Sequence, residues 1–144
     1  MPVQLKRIYE AASRQDGYRV LVDRLWPRGL SKEVAEVDLW LKDIAPSDAL
    51  RKWYHAHPVQ WPAFRQKYLN ELGEAEALQA LNQLHEVVAK RKAVTLLYAS
   101  KNLERNNAVV LKELLDGMRK PPRSTGPAGA AAAKAPRRAQ AGRR

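Results

Sequence analysis

The sequence predicts an α/β protein: a single compact domain with a small, mostly parallel sheet of three to four strands, covered by about four to five helices. Three observations carry this expectation. Short apolar runs at Tyr18–Val22 and Val94–Tyr98 have the unbroken hydrophobic character of strands covered on both faces. Apolar residues recur at spacings of three and four from about residue 61 to 72, 74 to 90 and 103 to 118, the period of amphipathic helices. No cysteine is present, which excludes disulfides, thiolate metal sites and cysteine nucleophiles and leaves packing to hold the core.

In chain order, Val3, Leu5 and Ile8 make a first strand, and the polar run from Ser13 to Asp16-Gly17 is turn chemistry. The second strand is Tyr18 to Val22 or Asp23, joined to the first by a connection too short for a crossover helix. The two are therefore either an antiparallel pair or set apart in the sheet. Ser31 caps a short helical turn, and Val37, Leu39, Leu41 and Ile44 alternate with polar residues as a short strand or extended segment. Ser47 caps a helix with Leu50, Trp53 and Tyr54 on its apolar side, which Pro58 ends. The next helix turns Trp61, Phe64, Tyr68 and Leu72 inward and Arg65, Lys67 and Glu71 toward water. The one after it uses Leu78, Leu81, Leu84 and Val88, and closes on Lys90, Arg91 and Lys92, favourable charges at a helix carboxyl end. Val94–Tyr98 reads as the central strand. A last helix, from about Leu103 to Met118 with Asn102 as its cap, completes the domain.

Charge divides the chain. Residues 119–144 hold eight basic side chains and no acid, whereas residues 1–118 hold 18 basic against 15 acidic, a net of +3 within the total of +11. The segment rich in Pro, Ala, Gly and Arg has no periodicity and no large apolar residue, so a disordered tail is expected there. The domain boundary thus falls between 118 and 119. No apolar run approaches a membrane span, and Met1 to Glu10 lacks the apolar core of a secretory signal, which points to the cytoplasm.

Asp23, Arg24, Trp26 and Arg28 follow the second strand; Lys101, Asn102, Asn106 and Asn107 follow the central one. If those strands are parallel neighbours, both groups share the sheet edge where α/β folds hold ligands. The arginines then offer planar forks for phosphate or carboxylate, Lys101 a point charge, Asp23 an acceptor, and Trp26 a pocket wall. An architectural reading stands beside this one: Asp23 pairs with Arg24, Arg28 or Lys101 to close the sheet end, and the asparagines cap the last helix. No cofactor is expected, since neither a P-loop nor a GxGxxG run is present. His55 and His57 lack a third ligand at metal spacing, so no metal site is expected, and His85 reads as a boundary residue. Trp61, Phe64 and Tyr68, at helical spacing, are read as packing.

The stretches Gly17 to Gly29, Lys42 to Ser47, Leu50 to Trp53, Phe64-Arg65, Tyr68, Glu71-Leu72 and Thr95 to Asn102 resemble the YeaO-like group of bacterial proteins, within the domain-of-unknown-function family DUF488. The resemblance runs from about residue 3 to 117 and implies a small cytoplasmic α/β protein without an established activity. It singles out Asp23, Arg24, Pro27, Arg28, Lys101, Asn102 and Asn106. Two departures are visible: Asn107 stands where such proteins usually have His, and Ala56-His57-Pro58 where they tend to have His-Asp-Pro. Asn does not carry protons near neutral pH, so chemistry needing that histidine is not expected here.

Three functions compete at this stage, and none decides whether the protein is an enzyme. The first is an anionic or phosphate-bearing ligand at the carboxyl ends of the strands. The second is salt-sensitive, sequence-independent nucleic-acid binding by the tail through Arg119, Lys120, Arg123, Lys134, Arg137, Arg138, Arg143 and Arg144. The third is a non-catalytic interaction or regulatory domain.

Overall fold

Val94, Thr95, Leu96, Leu97 and Tyr98 are all buried, and the strand they form organises the sheet. A computed structural model of the protein describes residues 3–117; Met118 and the basic residues assigned to the tail, Arg119 to Arg144, lie outside them. Four strands, β1 (Val3–Arg7), β2 (Tyr18–Leu21), β3 (Leu39–Trp40) and β4 (Val94–Tyr98), lie in the order β1-β4-β2-β3 and are all parallel. The question left open at β1 and β2 resolves as separation: both pair with β4 and neither with the other. The alternation expected over Val37–Ile44 shrinks to the two residues of β3, because the chain turns at Lys42–Ile44 into a single 3-10 turn.

Among the described residues five α-helices accompany the sheet: α1 (Lys32–Ala35), α2 (Asp48–Ala56), α3 (Trp61–Glu71), α4 (Ala75–Lys90) and α5 (Asn107–Asp116). Ser31 and Ser47 cap α1 and α2 through the amides of Val34 and Leu50. The last helix begins later than its periodicity suggests. Asn102 does not cap it: its Oδ1 accepts the amides of Glu104 and Arg105, forming a separate turn, and Asn106 supplies the cap to Val109.

The two faces of the sheet are covered unequally. Val3, Val20, Val22, Val94, Leu96 and Tyr98 pack against the buried sides of α2 to α5 in the larger core. On the opposite face Leu21, Leu97 and Ile8 meet Ala35, Trp26, Leu30 and Val37 from the segment between β2 and β3. At the amino ends of the strands, Asp16 bonds to Lys6 and Arg19, and Arg19 also donates to the carbonyls of Ala35 and Glu36 at the end of α1. Gly17 is obligatory between these groups: its φ is +67°, and a Cβ there would lie 2.3 Å from the Ala93 carbonyl oxygen.

Candidate ligand edge at the carboxyl ends of the strands

Because β2 and β4 are parallel neighbours, the loops that follow them emerge on the same edge. Asp23 spans the two. Its Oδ2 accepts the Ala99 amide at 2.8 Å and its Oδ1 the Asn107 side-chain amide at 3.1 Å, while the same Asn107 nitrogen donates to the Val22 carbonyl at 2.8 Å. The Asp23 carbonyl accepts the Trp40 indole at 2.7 Å. Burial raises the Asp23 carboxyl above its ordinary value, against the lowering effect of the Ala99 and Asn107 bonds. Among the described residues Asp23 makes no ion pair; its partners are amides.

Arg24 is committed to the loop that follows β3. Its Nε and Nη2 donate to the carbonyls of Pro46 at 3.3 Å and Ala45 at 3.1 Å. Two further side chains grip the same segment: the Tyr68 hydroxyl donates to the Ile44 carbonyl, and Glu71 accepts the Ser47 amide at 2.8 Å and the Ser47 hydroxyl at 2.6 Å. Burial pushes the Tyr68 hydroxyl well above its ordinary value, with the charges of Asp23 and Glu71 adding to the rise and Arg24 opposing it. Glu71 therefore does not face water as its helical position suggests. Helical spacing placed Tyr68 in the core, which is correct, yet a buried hydroxyl needs a partner, and that requirement was the available signal for its second role.

The remaining residues separate into committed and free groups. Trp26 donates its indole N–H to the Leu30 carbonyl at 2.7 Å and stands edge-on to Trp40, with ring centres 5.3 Å apart. Asn106 donates to the Asn102 carbonyl at 2.8 Å besides capping α5. Arg28 and Lys101 are exposed, with no ion pair among the described residues. The loops bearing them are joined. The Tyr9 hydroxyl donates to the Arg28 carbonyl at 2.9 Å, the Arg7 guanidinium lies 5.1 Å from the Tyr9 ring centre, and Arg7 donates to the carbonyls of Ser100 at 2.9 Å and Ala99 at 3.0 Å. Away from this edge, His57 stacks on Trp53 at 5.1 Å.

A family model described as the inactive DUF488-N3 subclade matches residues 2–130. The chain belongs to the DUF488 family. The uncharacterised protein YeaO of Escherichia coli K12 is 46% identical to this DUF488 chain over 115 residues, 80% of the chain and 97% of YeaO. The uncharacterised proteins Mb3100c of Mycobacterium bovis and Rv3073c of Mycobacterium tuberculosis are each 42% identical over 115 residues, 80% of the chain and 94% of each relative. No solved structure matches it. Among the described residues no helix is long and apolar enough to cross a membrane, and no group of three His, Cys, Asp or Glu could hold a metal ion.

Proposed function

We propose that the protein is a non-catalytic binding domain that takes a small phosphate- or carboxylate-bearing ligand at the carboxyl edge of its sheet. The supporting observation is the division of labour around Asp23. Its two oxygens are spent on Ala99 and Asn107, a partner without acid–base function near neutral pH, while Arg28 and Lys101 stand exposed on the loops that Asp23 and Tyr9 tie together. In this reading Asp23, Arg24 and Asn107 shape the loops and do not meet the ligand; Arg28 supplies a planar fork and Lys101 a point charge. The description of the matching subclade as inactive agrees with it.

A thermal-shift titration with inorganic phosphate, pyrophosphate and small dicarboxylates tests the proposal. One of these anions is expected to raise the melting temperature, and Arg28→Ala with Lys101→Ala is expected to weaken that binding by about tenfold or more. Both residues are exposed, so the variant should fold as the parent does. An anion-induced shift of the same size in the double variant, or no shift with any of the three classes, would overturn it.

A further inference from the structure

The opposite end of the molecule carries a second basic surface. Gly17, Tyr18, Asp38, Lys90, Arg91 and Lys92 line an open groove of about 430 Å³ at the amino ends of the strands. Lys90, Arg91 and Lys92 are consecutive and exposed, and none has an ion-pair partner among the described residues. The only acid in this lining, Asp38, already accepts the Arg19 amide at 2.8 Å. Cζ of Arg91 lies 3.8 Å from the centre of the Tyr18 ring, so the guanidinium is held against an aromatic face while the residue stays exposed.

The topology brings the end of α5 to this same edge. Asn107 anchors the start of α5 to the Val22 carbonyl, at the carboxyl edge, and α5 then packs along β1 and β4. Its ten residues span about 15 Å, close to the length of a five-residue strand, so Gly117 emerges near the amino edge. In the sequence, residues 119–144, with eight basic side chains and no acid, come after it.

From this juxtaposition we infer that the amino edge binds single-stranded nucleic acid, with Lys90, Arg91 and Lys92 following the phosphates and the Arg91–Tyr18 stack offering its outer face to a base. A lone small anion is a poor fit, because the carboxyl end of α4 presents its free carbonyls here and repels an isolated negative charge. A strand with many phosphates meets three cations at once. An acidic peptide would use the charges but leave the guanidinium–ring stack without a role, whereas bases stack on arginine planes.

Fluorescence anisotropy of the full chain with a labelled thymidylate single strand, read across a salt series, tests the assignment. Lys90→Ala, Arg91→Ala and Lys92→Ala combined should weaken binding by about tenfold or more and reduce the salt slope by about two. Arg91→Lys should keep the slope and lose preference for single strand over duplex. Circular dichroism and an unchanged phosphate-induced thermal shift at the carboxyl edge separate these effects from misfolding and from the function proposed above. Undiminished binding by the triple variant would leave the tail as sole binder and overturn the inference. So would failure of the parent to bind, or competition by polyglutamate equal to that of unlabelled single strand at the same charge.

Discussion

Buried Asp16 and half-buried Asp23, at opposite ends of β2, have pKa values moved in opposite directions. For Asp16, burial acts upward, but the Ser13 amide and the bonds from Lys6 and Arg19 outweigh it and hold the carboxyl below its ordinary 3.8. Its contribution to stability is therefore complete above the ordinary carboxylate range and drains away as pH falls through the lowered value. Asp16→Asn should cost about 2 kcal/mol at neutral pH, and the gap from the parent should close as pH falls below the ordinary carboxylate range, as measured by urea unfolding across pH. Asp23 has the reverse sign: raised by burial, it costs stability once ionised, and protonation relieves that cost. Asp23 was recognisable in the sequence because an acid at the end of an apolar strand is conspicuous. Its bonds to Ala99 and Asn107 were not, because sequence supplies donors and acceptors without their reach.

At the level of elements, the segment Ile44–Ser47 shows how helix and loop lock together. Arg24, Tyr68 and Glu71 reach it from the β2 loop and from α3, and Ser47 is at once the cap of α2 and the target of Glu71. Ser47→Ala should cost about 1 kcal/mol, and Glu71→Ala about 2 kcal/mol because two donors lose their acceptor. Chemical denaturation of the double variant should give less than the sum, since both changes break the same bonds. Helix positions were largely legible, as the stripes of α3 and α4 follow from spacing alone. The start of α5 was not, because Asn102 and Asn106 are both competent caps, and the turn from Asn102 to Arg105 takes the first before the helix begins.

Across the whole molecule the asymmetry of the sheet sets where it opens. The face packed by α2 to α5 carries most of the buried residues, whereas the face under the β2–β3 segment is covered by a four-residue helix and loop. Hydrogen exchange should accordingly find amides between Leu25 and Val37 opening well before those of α4 and β4. A parallel sheet was legible from unbroken apolar strands and intervening helices. The order of the first two strands was not, because a short connection permits either pairing or passage across a strand that arrives much later. That late arrival matters during translation. Val3 and Tyr18 both align with Val94, so on the ribosome the two early strands must wait some seventy-five to ninety residues for their common neighbour. At about 5–20 residues per second the nascent chain spends seconds with those backbone edges bare, a window in which a holdase chaperone would have something to hold.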